Sequence, residues 1–195
     1  MSYFHSLQVL GTPLQQVAIA RVDAHATLED PAQRLMTDLD SSACVCVPAD
    51  ASLGDAERLM QYAGVRMAFV VDGGIVSGNV TLADLRGERT LRITGSRHVP
   101  YEELVVRDVM TSLVDWTSIH LGDVWTATIG DIVATMRDNG ARYLFVLSGK
   151  AGSDSVPRVR GIFSASRIEK ALGAPISVEL RSRSFADLAV ALAHV

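Results

Sequence analysis

The sequence has few of the features that mark secreted, membrane-bound or nucleic-acid-binding proteins. Its 195 residues include only two cysteines, and its formal net charge is −4. A protein that binds polyanions through a basic face needs the opposite charge balance. No apolar run approaches the roughly 20 residues that span a bilayer, and the first residues lack a basic segment followed by an apolar one. We therefore expect a cytoplasmic protein that binds neither nucleic acid nor membrane.

The chain also lacks the motifs of metal sites and common enzymes. The five histidines are scattered without the spacing of zinc ligands. Cys44 and Cys46 lie in the apolar run ACVCV, where we expect strand alternation to send their side chains to opposite faces, against a disulfide or a shared metal. A thiolate is disfavoured there, and no Ser-His-Asp arrangement or GxxxxGK loop is present. We expect no enzyme activity and no required cofactor.

What the sequence does contain is an internal repeat. The triplet LMT at 35–37 recurs as VMT at 109–111, and a shift of 76 residues aligns 53–71 with 129–147. Seven of those nineteen pairs are identical, whereas ordinary residue usage gives about one or two. The segment GNVTLADL at 78–85 then aligns with GIFSASRI at 161–168, after an insertion rich in turn residues that predicts a surface hairpin.

Both copies predict the same local structure. Ser52 and Thr128 are typical helix N-caps, each followed by an aspartate three residues later. Gly64 and Gly140 fit the left-handed position just past a helix end. The apolar runs RMAFVV and RYLFVL predict strands covered on both faces. The order in each copy is therefore β-α-β-β-α, typical of an α/β (α+β) fold with helices packed on a small sheet.

The order of VMT, a strand, a capped helix, GxRxxFVV and GxxTxxD, occurring twice, resembles the cystathionine-β-synthase (CBS) domain family. The resemblance divides the chain into an N-terminal extension (1–30), repeat 1 (31–86), a linker (87–103), repeat 2 (104–171) and a C-terminal extension (172–195). It implies two repeats packed with pseudo-twofold symmetry, known as a Bateman module. It further implies that AMP, ADP, ATP or S-adenosylmethionine binds in clefts between the repeats.

The motif that begins at Gly78 and Asn79 implies one such site. Thr81 would begin a helix whose free amides accept a phosphate, and Asp84 would accept hydrogen bonds from ribose hydroxyls. Arg66 would contact phosphate. An apolar slot for adenine would be formed by Val80 and Met67. The competing interpretation is that Thr81 and Asp84 form an ordinary capping box that needs no ligand.

The second repeat departs from the family pattern at the acidic position. Ser164 matches Thr81, but Arg167 stands where the ribose-binding acid is expected. Arg167 either contacts a phosphate of a ligand in the other cleft or forms a surface ion pair. Arg142, the counterpart of Arg66, leaves the same two alternatives open. We expect at most one orthodox nucleotide site, centred on Thr81 and Asp84.

The segments outside the repeats are less informative. The start at Thr12 predicts either a short amphipathic helix or a strand. The linker carries four arginines (Arg86, Arg89, Arg92 and Arg97) and a TLRIT alternation, which predict a solvated connection with a little strand; the alternative is that these arginines line the cleft near Asp84. The tail from Ser184 predicts an amphipathic helix that covers the module or a second copy of the chain.

The leading hypothesis is a regulatory CBS-pair module that senses an adenosine-containing ligand and modulates an effector protein or its own oligomeric state. Homodimers are common in the family. The alternative is a constitutive protein interaction module whose clefts are vestigial.

Overall fold

The computed structural model describes residues 25–149 and 156–177. The segments predicted near Thr12 and from Ser184, and residues 150–155 of the predicted hairpin insertion, lie outside the described residues. After a 3-10 helix (Ala32–Leu35), the chain forms the two-residue strand β1 (Thr37–Asp38). The first repeat contains β2 (Cys46–Pro48), α1 (Leu53–Tyr62), β3 (Met67–Asp72), β4 (Ile75–Thr81) and α2 (Leu82–Arg86).

The connection and the second repeat follow in the same manner. The linker contains α3 (Glu88–Arg97) and a 3-10 helix (Tyr101–Glu103), and repeat 2 begins with α4 (Val106–Val109), β5 (Thr111–Ser112) and a further 3-10 helix (Leu113–Asp115). The second repeat contains β6 (Ser118–His120), α5 (Leu121–Val124), α6 (Ile129–Asp138), β7 (Tyr143–Ser148), β8 (Arg158–Ser164) and α7 (Ala165–Leu172). The predicted β-α-β-β-α order is confirmed in both copies, with the short helix α5 added in the second.

Helices α1 and α6 begin at the predicted N-cap residues and are followed by the predicted glycines. The Ser52 hydroxyl accepts a hydrogen bond from the Asp55 amide at 3.1 Å, and the Thr128 hydroxyl accepts one from the Asp131 amide at 3.2 Å. These bonds satisfy amides that no helical carbonyl can reach. After each helix, Gly64 (φ 67°) and Gly140 (φ 59°) adopt the left-handed conformation that glycine accepts without strain.

Each sheet contains one short strand from outside its own repeat. The first sheet has the order β2-β3-β4-β5, and the second has β1-β8-β7-β6. Strand β1, near the start of repeat 1, pairs antiparallel with β8 of repeat 2, and β5, near the start of repeat 2, pairs antiparallel with β4 of repeat 1. The first segment of each repeat therefore completes the sheet of the other.

The hydrophobic cores follow the same exchange. Leu104, Val106 and Val109, at the start of the second repeat, pack in the core of the first. In the opposite direction, Ala32 and Met36 pack in the core of the second. Between the two sheets lies a third cluster around Phe69, Phe145 and Ile162. We call this cluster the seam.

Side chains alternate between the two faces of each central strand, so one face packs in the core of its repeat and the other packs in the seam. In β3, Ala68 and Val70 pack in the core of repeat 1, while Phe69 packs in the seam. In β7, Leu144 and Val146 pack in the core of repeat 2, while Phe145 reaches the seam. Both faces of each central strand are covered, which explains the nearly continuous apolar runs.

The predicted strand in the linker is wrong, because residues 88–97 form helix α3. Thr90 and Ile93, three residues apart, face the core of repeat 1, whereas Leu91 is 69% exposed. The Thr90 hydroxyl donates to the Asp84 carbonyl at 2.5 Å and anchors the first turn of the helix. Buried positions in this segment are spaced as in a helix, so the apolar alternation in the short run TLRIT wrongly indicated a strand.

Candidate functional site

Equivalent residues of the two repeats border two sides of the seam. The repeat alignment pairs Arg66 with Arg142, Met67 with Tyr143, Thr81 with Ser164, and Asp84 with Arg167. The exchanged strands add Thr37 on one side and Thr111 on the other. We name these the Asp84 side and the Arg167 side.

On the Asp84 side, the predicted ribose-binding acid is occupied by its own helix cap. The Thr81 hydroxyl accepts from the Asp84 amide at 3.2 Å, and one Asp84 carboxylate oxygen accepts from the Thr81 amide at 2.9 Å and the Thr81 hydroxyl at 2.7 Å. These are the contacts of the capping interpretation. The ribose contact of Asp84 remains a prediction that no contact tests.

A tryptophan changes the character of the same side. Cys46 and Ser118 pair with equivalent residues, Phe69 and Phe145, which makes Trp116 the counterpart of Cys44. The Trp116 indole stacks on the Phe145 ring, with centroids 3.7 Å apart and an interplanar angle of 10°. The equivalent residue beside Phe69 is the smaller Cys44, while Phe69 itself is buried, with its ring 5.9 Å from that of Trp116. The indole therefore fills on the Asp84 side a space that the smaller Cys44 side chain does not fill on the other.

The open cavity lies on the Arg167 side, with a volume of about 520 Å³. This is within the range of small-ligand pockets. Its lining comes from the first segment of repeat 1, from the start of β3, and from β8 with the first turns of α7. The lining residues are Thr37, Leu39, Ala43, Cys44, Val45, Gly64, Val65, Arg66, Met67, Phe69, Tyr143, Ile162, Ser164, Ser166, Arg167 and Lys170.

The charge of this cavity is uniformly positive. Arg66, Arg167 and Lys170 line it, and no aspartate or glutamate does. Among residues 25–149 and 156–177, none of these three cations forms an ion pair with a carboxylate. By contrast, Arg142 lies 3.7 Å from Glu169. The three cations at one concave surface provide an attractive field for an anion.

The other surfaces of the cavity are apolar or carry hydroxyls. Phe69 and Ile162 come from the seam, and Tyr143 is half-buried beside them. Burial raises the pKa of the Tyr143 phenol, while the charges of Arg142 and Arg66 lower it. The Ser164 hydroxyl caps α7 by accepting from the Arg167 amide at 3.4 Å. The first turn of α7, with its partial positive charge, therefore borders the cavity.

The structure brings together only part of the predicted site. Arg66, Met67, Ser164 and Arg167 line one cavity. The remaining predicted residues do not line it: Gly78, Asn79, Val80, Thr81, Asp84 and Arg142. Sequence reasoning missed Thr37, Cys44, Tyr143 and Lys170. Thr37 belongs to the repeated LMT triplet, and Lys170 follows Arg167 by about one helical turn, so both carried a usable signal.

The linker arginines have separate roles. Arg86 pairs with Glu57, and the Arg89 guanidinium lies 3.4 Å from the hydroxyl of Thr111. Since Thr111 is the counterpart of the cavity residue Thr37, Arg89 reaches the Asp84 side. Arg92 is exposed.

The expected placement of the two cysteines on opposite faces is wrong. Both are free and exposed, and burial, followed by the neighbouring Cys44, raises the pKa of the Cys46 thiol. Residues two apart on an extended chain share a face, because the side-chain period is two. Within the described residues, His, Cys, Asp and Glu side chains form no group of three that could hold a metal ion.

Part of this chain is similar to a known protein family. A family model described as the CBS domain matches residues 32–89. These residues are therefore similar to a CBS domain. Repeat 2 has the same element order, with α5 added, and an equivalent sheet. No curated protein matches its sequence significantly. Among residues that the structure describes, no helix is long and apolar enough to cross a bilayer.

Solved structures share this fold. A conserved protein from Pyrococcus horikoshii is 22% identical, with a TM-score of 0.51 over 75% of this chain and 94% of that one. A CBS-domain protein from Burkholderia ambifaria is 24% identical, with a TM-score of 0.50 over 72% and 91%. The Arabidopsis thaliana protein CBSX2, solved in complex with AMP, is 19% identical, with a TM-score of 0.48 over 73% and 95%. At these identities the likeness concerns the fold.

Proposed function

We propose that this protein is a regulatory CBS-pair module that binds an adenine nucleotide in the Arg167-side cavity and is not an enzyme. The observation that carries the proposal is the cavity with three cations and no lining carboxylate. Arginine and lysine bind phosphate through charge-assisted hydrogen bonds. The apolar surface at Phe69 and Ile162 suits a planar base.

The charge of the cavity also ranks the predicted ligands. Each added phosphate brings negative charge toward Arg66, Arg167 and Lys170, so we expect ATP and ADP to bind more tightly than AMP. S-adenosylmethionine carries a sulfonium and an ammonium, which the same cations repel. Ribose lacks its usual acid here, since Arg167 replaces it, and the hydroxyls of Thr37, Ser164 and Ser166 are the remaining polar partners on that wall.

Binding supplies regulation only if the ligand has different affinities for two states of the protein. The cavity joins residues of both repeats, so an occupied cavity changes how firmly they are held together. We propose that this change alters the homodimer or the contact with an effector protein. The free cysteines agree with a reducing compartment, and the cytoplasm remains the proposed location.

One observation favours the alternative, a constitutive interaction module. On the Asp84 side, one carboxylate oxygen of Asp84 accepts both hydrogen bonds of the helix cap, and Trp116 stacks on Phe145. If the Arg167 side is equally unused, no nucleotide will stabilise the protein.

Thermal unfolding of the full chain with ATP, ADP, AMP, adenosine, pyrophosphate or S-adenosylmethionine separates the two functions. A ligand at a hundred times its dissociation constant adds about 2.7 kcal/mol to the free energy of unfolding. For a chain of this size, that raises Tm by about 5–10 °C. Absence of any shift with every compound would favour the interaction module.

The chain offers a matched pair of variants for the site. Arg66→Ala removes a cavity cation, and Arg142→Ala removes its counterpart outside the cavity. Loss of one hydrogen-bonded charge costs about 1.5–3 kcal/mol, so we expect ATP to bind Arg66→Ala about 10- to 100-fold more weakly. Arg142→Ala should bind like the wild type. Equal effects of the two substitutions would contradict the assignment of the cavity.

A further inference from the structure

Two polar side-chain atoms in the part of the chain that the structure describes are buried without a hydrogen-bond partner. They are the carbonyl oxygen Oδ1 of Asn79 and the indole nitrogen Nε1 of Trp116. Asn79 as a whole is only 4% exposed. A buried polar group without a partner costs free energy, and such groups are rare in folded proteins. The proposed function uses neither atom.

Both atoms belong to residues that lie beside Phe69 in the seam. Asn79 in β4 pairs with Phe69 in β3, and directly opposite residues of an antiparallel pair point to the same face of the sheet. The Trp116 ring lies 5.9 Å from the Phe69 ring. Ile162, the counterpart of Asn79, lines the cavity on the Arg167 side. By the symmetry of the repeats, Asn79 therefore faces the space that the indole fills on the Asp84 side.

The indole occupies this space as one planar ring stacked on another. It lies 3.7 Å from the Phe145 ring, at an interplanar angle of 10°. Planar bases stack on aromatic side chains in the same way. The indole therefore stands where a planar ligand would stack, but it offers no hydrogen bond to Asn79 and receives none for its own nitrogen.

Release of the indole would require only rotation of its side chain. The main chain is held on both sides, because the Trp116 amide donates to the Leu113 carbonyl at 3.2 Å and the Phe145 amide donates to the Thr117 carbonyl at 3.0 Å. The segment before Trp116 lies at the surface, where Val114 is 89% exposed. Rotation toward solvent would therefore uncover Phe145 and give the indole nitrogen water as an acceptor.

We propose that Trp116 is a displaceable plug of a second ligand site, and that this site takes a planar heteroaromatic molecule with an N–H donor. The ligand ring stacks on Phe145 in place of the indole, and its N–H group donates to Asn79 Oδ1. The displaced indole donates to water, so both unpaired atoms gain a partner. This site is separate from the Arg167-side cavity, and it needs none of the cations that line that cavity.

Tryptophan fluorescence of the full chain follows the plug directly. Trp125→Phe leaves Trp116 as the only tryptophan. Adenosine is the probe, because its base is planar and carries an amino group, and because it has no phosphate for the cations of the Arg167 side. The Trp116 emission should shift to longer wavelength along a saturable titration as the indole enters water. Purine riboside, the same nucleoside without the amino group, should bind about three- to tenfold more weakly. Emission that does not change with adenosine would overturn the proposal.

Titration calorimetry of Trp116→Cys gives a second measurement that needs no fluorescence. A ligand that displaces a plug binds only the open state, and minor states of this kind are populated to about 0.1–10%. Removal of the plug should therefore tighten adenosine binding about 10- to 1,000-fold. Adding Asn79→Ile, the residue of the Arg167 side, should weaken it again by about three- to tenfold. If Trp116→Cys binds adenosine no more tightly than the wild type, Trp116 is a fixed part of the core and not a plug.

Arg66→Ala separates this site from nucleotide binding on the Arg167 side. This substitution should weaken ATP binding and leave the response of Trp116 to adenosine unchanged. Loss of ATP binding alone would therefore concern the proposed function, whereas a silent Trp116 with intact ATP binding would concern only the second site. If Arg66→Ala abolishes the adenosine response, adenosine binds in the Arg167-side cavity and the second site does not exist.

Discussion

Substitution of Gly78 by alanine should break the exchange of strand β5 onto the first sheet. A Cβ atom at this position would lie 2.2 Å from the Thr111 carbonyl oxygen, 3.1 Å from its carbon and 3.3 Å from the Ser112 Cα. All three are backbone atoms, so no side-chain rotation relieves the contact. Either the two strands separate or the sheet deforms.

The cost follows from those two responses. Overpacking of a well-packed region costs about 1–3 kcal/mol, and each backbone hydrogen bond lost as β5 separates costs about 1 kcal/mol more. We therefore expect the free energy of unfolding to fall by about 2–4 kcal/mol, and Tm by about 5–15 °C. Denaturant unfolding gives the first quantity and calorimetry the second. Amide hydrogen exchange should increase locally at Thr111 and Ser112.

Two other glycines are matched controls. A Cβ at Gly161, the counterpart of Gly78, would lie 2.6 Å from the Met36 sulfur, at the flexible end of a side chain, and 3.1 Å from the Thr37 carbonyl oxygen. We expect an intermediate loss for Gly161→Ala. Gly54 in α1 has no atom within 4 Å, so Gly54→Ala should be neutral or slightly stabilising. If Gly78→Ala melts with the wild type, β5 does not lie against β4 as described.

Three further substitutions test separate parts of the site. Trp116→Cys introduces the residue that stands at the equivalent position on the Arg167 side, Cys44. The free energy of unfolding should fall by about 1–3 kcal/mol because the ring contacts are lost. A crystal structure of this variant should show a second cavity on the Asp84 side. Asp84→Asn should lower stability by about 1 kcal/mol through the weakened cap, with ATP affinity in titration calorimetry unchanged. Hydrogen bonds from Thr128 lower the pKa of Asp131 from its ordinary 3.8. The folded pKa is depressed, so this stability is present above the ordinary pKa and is lost as the pH falls through the folded value. The free energy of unfolding, measured with denaturant, should therefore fall less steeply below about pH 4 for Asp131→Asn than for the wild type.

The local signals in the sequence predicted the fold well. Caps, glycine stops and apolar runs are short-range features, and each was present twice. The exchange of β1 and β5 was not predictable in the same way, since a two-residue strand carries no period. Its partner is also far along the chain. Thr37 pairs with Ile162 in β8, a neighbour that no local pattern identifies.

The site was harder to predict, because the two sides of the seam differ through residues outside the motif. The motif favours the Asp84 side, where an acid is present. The open cavity is nevertheless on the other side, where the small Cys44 side chain lines it, whereas the larger Trp116 stacks on Phe145 at the equivalent position. The difference between Trp116 and Cys44 at equivalent positions was visible in the sequence. Its effect required knowing that both positions lie against the seam.

The exchanged strands also set the order in which the protein can be completed during synthesis. The first wall of the cavity, at Thr37, leaves the ribosome more than a hundred residues before its partner strand at 158–164. At about 5–20 residues per second, the early segment waits roughly 6–25 s for that strand. Because the cavity is assembled last, its occupancy by any small molecule reports that translation of both repeats has finished and that they have docked.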